Sequence, residues 1–395
     1  MSLLVNKNLI KFTIFWNLII IVRYKVQHNL NPFYLSNKKP ILSYNNKKKE
    51  ILIKGRQYLD KCLNHSNKQR YKYIKQPKIS VIVPMFNCQK TIIAALNSIQ
   101  YQNISKIEII LVNDFSTDNT SKIVKKINKK DQRIKIINNN KNMGTLYSRS
   151  IAALMAKGKY IFGLDNDDLF FDGDLFDYIY KKARKENLDL IGFLTVDGWD
   201  YTTKITQMRD IYTYQYPDNF YLEQPELSTW IIKFEERYII HNNMIWDKCI
   251  KSSIYKDSVN LLGIKRYSKF LSWTEDTSMN FVIFNLARNF KYTHKYGIFH
   301  YRGKTTASLR LSVDSKIFGE IFFLDIIFDF SKDDAENKNF IIKQALNIKS
   351  KYNIDKFNND YNSYYLKSVL NKIVNCNYLN KLNKRKLKKI FNEYF

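Results

Sequence analysis

The chain has 395 residues, 65 Lys plus Arg against 36 Asp plus Glu and a formal net charge of +29. Hydrophobic residues make up 45% and aromatics 15%, which supports a sizeable core and excludes a disordered or low-complexity chain. Lys is spread along the whole chain beside abundant Asn, Ile and Tyr, without zinc-finger or aromatic RNA-binding spacing, so the charge reads as compositional bias able to steer an anionic substrate, not as a specific nucleic-acid site.

In chain order, residues 1–30 form an apolar N-terminal segment. Leu9 to Val22 supports two readings, a membrane anchor or a buried or surface-lying helix, because Lys11 and Asn17 interrupt it and a spanning helix wants roughly 20 apolar residues. If it spans, the basic residues on its C-terminal side place the rest of the chain in the cytosol. Association with a membrane and a cytoplasmic location therefore both stay open. Residues 31–77, polar and carrying Pro32, Pro40 and Pro77, read as a linker or stalk with one helix from Lys49 to Leu63. Cys62, Cys88, Cys249 and Cys376 form no CxxC and no HExxH occurs, so neither a disulfide framework nor a zinc site is indicated.

A strand–helix alternation starts at Lys78. Ile79 to Val83 is a β-branched strand ended by Pro84, followed by a helix from Gln89 to Gln100 and a second strand from Ile107 to Val112. Thr117 to Lys130 has helical spacing, with Ser116 or Thr117 as N-cap and Asp118 in the first turn. Ile134 to Ile137 is a third strand, Thr145 to Ala156 a third helix, and Tyr160 to Leu164 a fourth strand. A helix from Asp174 to Glu186 leads to a strand from Leu188 to Phe193, after which the alternation weakens near Asp200. This is an α/β pattern: a mainly parallel central sheet with helices on both faces, and a helical C-terminal region over 311–395.

In such sheets ligands bind at the carboxyl ends of the strands. The first strand ends in Pro84-Met85-Phe86-Asn87, the second in Asn113-Asp114-Phe115-Ser116 and the fourth in Asp165-Asn166-Asp167-Asp168. Carboxylates gathered on one edge repel one another unless a cation or a donor-rich ligand balances them. A Mg²⁺ or Mn²⁺ ion held by one or two carboxylates and by phosphate oxygens does this, whereas a single Asp-rich turn taken alone is equally a helix cap.

Taken together these pieces resemble the family 2 glycosyltransferases of the GT-A fold, strongly from Lys78 to about Phe171 and more loosely to about residue 310. The likeness rests on Val83-Pro84-Met85-Phe86-Asn87, on Val112-Asn113-Asp114-Phe115-Ser116-Thr117-Asp118, on Asn142-Met143-Gly144 with Arg149 five residues on, and on Leu164-Asp165-Asn166-Asp167-Asp168. The resemblance implies a GT-A domain over 78–310 and a nucleotide-sugar donor, a UDP-sugar by default. It implies donor contacts from Pro84, Phe86, Asn87, Asp114, Ser116, Arg149, Asp165 and Asn166. Asp165-Asn166-Asp167 matches the family's Asp-x-Asp motif, in which the last Asp commonly holds the metal and the first meets the sugar nucleotide, so Asp167 and Asp165 are the metal candidates. Thr274-Glu275-Asp276 resembles the element that supplies the family's base, which assigns Asp276, with Glu275 beside it, to the acceptor proton and makes the reaction an inversion. His300-Tyr301-Arg302-Gly303-Lys304 resembles a later segment in which His300 assists the metal and Arg302 or Lys304 neutralises diphosphate. The acceptor, whether glycan, lipid or protein, is not legible. A non-catalytic sugar-nucleotide or glycan-binding module of the same fold is the alternative, and the intact Asp167 and Asp276 weigh against it.

Overall fold

The computed structural model describes residues 46–64, 70–201, 209–211, 218–224, 231–234, 237–240, 244–263, 274–303, 313–330, 368–369 and 371. Leu9 to Val22, Lys304 and most of the C-terminal region lie outside them. Among the described residues no helix is long and apolar enough to cross a membrane.

The order is α1 (Asn46–Asn64), β1 (Ile79–Met85), α2 (Ile92–Gln100), β2 (Ile107–Asn113), α3 (Thr120–Asn128), β3 (Ile134–Asn138), α4 (Thr145–Met155), β4 (Tyr160–Gly163), β5 (Leu169–Phe170), α5 (Leu175–Lys185), β6 (Leu190–Gly198), β7 (Arg209–Ile211), β8 (Tyr221–Glu223), β9 (Ile231–Phe234), β10 (Arg237–Ile240), β11 (Lys248–Lys251), α6 (Ser252–Leu262), α7 (Glu275–Leu286), β12 (Asn289–Tyr301) and α8 (Val313–Phe330). One sheet runs β3-β2-β1-β4-β11-β6-β12-β5, with β7 on β6 and β8 on β12, and β9 and β10 pair separately.

The expected parallel half is present in β3-β2-β1-β4. Every residue of β1 and β2 is buried, as strands covered on both faces must be. Pro84 comes after Ile82–Gly163, the last pair of the ladder with β4, so its missing N–H interrupts no bond there. The other half is mixed, because the short β11 enters antiparallel to both β4 and β6. Two reversals restore direction, and β12 pairs β6 in parallel. Thus β1, β2, β3, β4, β6 and β12 all point their carboxyl ends to one edge, which positions the site.

Glu108 on β2 ties the parallel half together from inside. Its carboxylate accepts from Ser80 Oγ on β1 at 2.7 Å and from the Gly158 amide ahead of β4 at 3.2 Å, with Lys135 of β3 as counter-ion. Asp189, fully buried before β6, accepts from Arg288 Nε at 2.8 Å, Arg288 Nη2 at 2.9 Å and Lys251 Nζ at 2.8 Å. Burial alone would raise this carboxyl, but the Arg288 and Lys251 bonds hold it down at about 2. A depressed folded-state value stabilises above the ordinary carboxylate value of about 3.9 and is lost as pH falls from there toward 2. Asp189→Ala is expected to cost about 2–3 kcal/mol at neutral pH by denaturant unfolding, less than a fully buried pair because the Arg288 side chain is largely exposed.

The helix expected over 49–63 forms as α1, and it is docked. Leu52, Leu59 and Cys62 are buried, Tyr58 donates to the Ser98 carbonyl at 2.7 Å, and Asn97 donates to the Cys62 carbonyl at 2.7 Å. Gly55 sits in the helix interior, where glycine ordinarily costs about 1 kcal/mol against alanine. Here a Cβ would stand 2.0 Å from Cε1 of the buried Phe171 ring. Gly55→Ala is therefore expected to lower the denaturation midpoint, by about 1–3 kcal/mol of overpacking, reversing the usual propensity gain.

Candidate functional site

Leu164 closes β4 with a bond from its amide to the Ile82 carbonyl at 3.0 Å, and the acidic turn follows. The Asp168 amide donates back to the Asp165 carbonyl at 3.1 Å, and Asn166 Nδ2 donates to the Pro84 carbonyl at 3.0 Å, fastening the turn to the end of β1. Asn166 is thus a fastener between two loops. The Asp167 carboxylate has no donor from any other residue among those described, and burial, reinforced by the Asp165 charge, pushes it up to about 6 against the pull of His300. Asp168 is buried; its Oδ1 accepts from the Tyr301 amide at 2.9 Å while Oδ2 has no partner, and burial raises it well above the carboxylate range.

The loops after β1 and β2 are zipped together. Asn87, at φ 47°, donates its amide to Ser116 Oγ at 3.0 Å and accepts from the Thr117 amide at 2.8 Å. Ser116 and Thr117 therefore serve this zipper and do not cap α3, whose N-cap is Asn119. Asp118 instead accepts from the Thr120 amide at 2.9 Å and the Gln89 amide at 3.1 Å. Phe86 and Phe115 stand exposed on either side of the zipper. Asp114 is buried, and its carboxylate accepts from the Met143 amide at 2.8 Å, the Gly144 amide at 2.8 Å and Asn139 Nδ2 at 2.7 Å. It anchors the loop that starts α4, where Gly144 takes φ 87° and the helix N-terminus favours an anion.

That helix presents Arg149. Its buried guanidinium pairs through Nη2 with Asp165 and through Nη1 with Asp276, 127 residues further along the chain. Burial opposes the charge, but the two carboxylates outweigh it and keep the guanidinium protonated. Asp276 also accepts from the Ile245 amide at 3.4 Å. Glu275 and Asp276 form the first turn of α7, where acids favour the helix N-terminus. Thr274, before them, holds a left-handed φ of 62°, costly for a β-branched residue, and its Oγ1 donates to the Gly319 carbonyl of α8 at 2.6 Å. Burial raises both acids: Asp276 against the opposing Arg149 charge, and Glu275, with the Asp276 charge added, to about 8.

At the end of β12, His300 Nδ1 meets Asp197 at 2.8 Å and the ring stacks on buried Trp246 at 5.0 Å and 15°. Burial alone would lower His300, but Asp168 and the Asp197 bond raise it to about 9, so it is a cationic counterweight to the acidic turn. Arg302 pairs with the other Asp197 oxygen. Asp197 is a member of this cluster that the sequence pattern does not single out: β6 continues past Phe193 through Val196-Asp197-Gly198, and the strand direction alone signals an acid at the carboxyl edge. Tyr201, also missed, donates its hydroxyl to the Asp167 carbonyl at 2.6 Å. Among the described residues no three of His, Cys, Asp or Glu converge closely enough to cage an ion alone.

Residues 80–243 match the model of Glycosyl transferase family 2. The uncharacterized glycosyltransferase EpsJ of Bacillus subtilis (strain 168) is 28% identical over 227 residues, 57% of this chain and 61% of that protein. The Escherichia coli UDP-Glc:alpha-D-GlcNAc-diphosphoundecaprenol beta-1,3-glucosyltransferase WfaP is 44% identical over 90 residues, 23% of this chain and 35% of that protein. The chain thus spans less than two thirds of the length of either relative. Among solved structures, S. aureus TarS 1–349 in complex with UDP-GlcNAc superposes with a TM-score of 0.53 at 16% identity, covering 80% of this chain and 92% of that one, which shows a shared fold. Over residues 80–243, this chain is similar to the family 2 glycosyltransferases.

Proposed function

We propose that the chain is a metal-dependent, inverting glycosyltransferase that moves a sugar from a UDP-sugar to an acceptor hydroxyl. The observation that carries this reading is the Arg149 bridge: one buried guanidinium joins the acidic turn at the end of β4 to Asp276 at the start of α7. Asp165, read as the donor-side acid, and Asp276, read as the acceptor-side base, thereby share one guanidinium. The UDP assignment is supported by WfaP, a UDP-Glc-dependent glucosyltransferase, and by the UDP-GlcNAc complex of TarS.

The residues fit a divalent ion. Asp167 offers a carboxylate that accepts from no other residue among those described, in a place where burial and Asp165 make negative charge costly. His300 offers Nε2, once its proton is displaced, while Asp197 orients the ring from Nδ1, the usual outer-shell arrangement of a ligating histidine. With only these protein donors the remaining positions fall to diphosphate oxygens, as in Mg²⁺ and Mn²⁺ sites built around a phosphate ligand. A bound ion supplies Lewis-acid stabilisation of the charge that develops on the departing diphosphate.

The chain's own groups do the rest. Asp114 fixes the loop leading into α4 and orients that helix N-terminus toward the nucleotide side. Asp165, held by Arg149, meets the sugar nucleotide, and Arg302 adds positive charge beside the diphosphate. Asp276 takes the proton of the acceptor hydroxyl as that oxygen attacks the anomeric carbon from the face opposite the leaving group, so configuration inverts. The test is a panel of nucleotide sugars assayed for nucleoside diphosphate release with Mn²⁺, with Mg²⁺ and with chelator. The reading expects release from a UDP-sugar that chelator stops; no release from any donor, or release indifferent to chelator, overturns it.

A further inference from the structure

Helix α1 lies before the segment that matches the family model, yet it reaches the acidic turn. Arg56 Nη1 donates to the main-chain carbonyl of Tyr201 at 2.5 Å, and Asp60 one turn on pairs with the same guanidinium. Tyr201 in turn donates its hydroxyl to the main-chain carbonyl of Asp167 at 2.6 Å. Its ring lies on Tyr301 at 4.8 Å and 24°, and the Tyr301 amide donates to Asp168 at 2.9 Å. Tyr201 is therefore gripped from three sides: by α1, by the acidic turn and by the strand end that carries His300.

We propose that Arg56 and Tyr201 are positioning residues for Asp167, with α1 acting as a brace that sets the acidic turn against the end of β12. The proposal rests on the metal and donor roles given to that turn above. Its physical basis is that the Asp167 carboxylate has no donor from another described residue to aim it, so its direction follows its backbone. Asn166 fixes one side of that backbone through Pro84, and Tyr201 fixes the Asp167 carbonyl itself. A mostly buried phenol left without an acceptor is costly, about 1–3 kcal/mol, which keeps the bond formed. Gly55 is the sequence feature that lets α1 approach this closely, its missing Cβ making room for the Phe171 ring. The unit that binds metal and diphosphate thus begins at α1 and not at β1.

Tyr201→Phe removes the hydroxyl and keeps the ring stack, and Arg56→Ala removes the tie from α1. Hydrogen exchange of the full chain, with neither metal nor nucleotide present, is expected to speed up by about tenfold over residues 165–168 in Tyr201→Phe while the rest of the sheet is unchanged. Mn²⁺ binding in the presence of UDP, followed by the electron spin resonance of free Mn²⁺, is expected to weaken by about tenfold, the size typical of losing an outer-shell partner. In turnover the half-saturating Mn²⁺ concentration rises while the acceptor KM stays put, a split that general destabilisation would not give. Arg56→Ala should move the same quantities in the same direction. Unchanged exchange and Mn²⁺ binding in Tyr201→Phe overturn the proposal, as does faster exchange spread over the whole sheet, and an effect in Tyr201→Phe without one in Arg56→Ala overturns the part given to α1. A chain that turns over no nucleotide sugar would sink the function reading, while the exchange measurement would still decide on the brace.

Discussion

Asp167→Ala is expected to abolish sugar transfer, lowering kcat/KM by about 10³-fold or more, the scale of losing the group that holds the leaving-group charge. The reason lies in what surrounds it. Asp167 is pushed up to about 6 by burial and by Asp165, so its charge is costly at this place, and a bound divalent ion would relieve that cost further than His300 does. Removing the carboxylate removes both the cost and the ion's protein anchor. Mn²⁺-dependent UDP binding by calorimetry is therefore expected to weaken together with transfer, while stability holds or rises slightly. Full activity in Asp167→Ala would sink the role assigned to it.

Asp276→Asn is expected to have an equally large effect on turnover with a different signature. The amide keeps the shape beside Arg149 but cannot take a proton, so transfer falls by about 10²–10⁴-fold, the usual contribution of a general base. Donor affinity stays within about threefold, because Asp165 still holds Arg149 from the other side. The pH profile separates the two variants further. Asp276 lies above the ordinary carboxylate range because burial outweighs the Arg149 charge, and a base works only when deprotonated. Wild-type kcat/KM is expected to fall as pH drops through that raised value, and the acid limb should be missing from the residual activity of Asp276→Asn.

Much of the fold could be read from the sequence where β-branched runs alternate with helical spacing. The strands β1 to β4 and the helices between them stand within a few residues of the expected bounds because β1, β2 and β4 are runs buried on both faces and β3 is a short Ile-rich run, signals that survive without tertiary knowledge. The second half was less legible for equally physical reasons. β11 is only four residues long and includes two lysines, one of them buried. β12 mixes Asn, Lys, Thr and His into a 13-residue strand that faces different neighbours along its length. Its pairing with β6 is set by contacts far apart in sequence, and so is the extension of β6 that brings Asp197 to the edge.

The site followed the same division. Asp165, Asp167 and Asp276 stand out in the sequence as motif residues, and in the structure Asp165 and Asp276 share the Arg149 guanidinium. What no local pattern reveals is how these acids are held. Arg149, expected among the donor contacts, stands between two carboxylates, and the carboxylate of Asp114, also expected among them, holds the loop before α4. Tyr201 and Asp197 carry no motif at all. Each is defined by a partner 34 or 103 residues away.

In the proposed reaction Asp276 drives a direct, single displacement at the anomeric carbon of a donor held by the acidic turn. Proton NMR of the anomeric signal during turnover, with the donor sugar found in the nucleotide panel, tests this most directly. The first-formed product is expected to carry the inverted configuration at that carbon; a first-formed product that retains the donor's configuration would overturn the role given to Asp276.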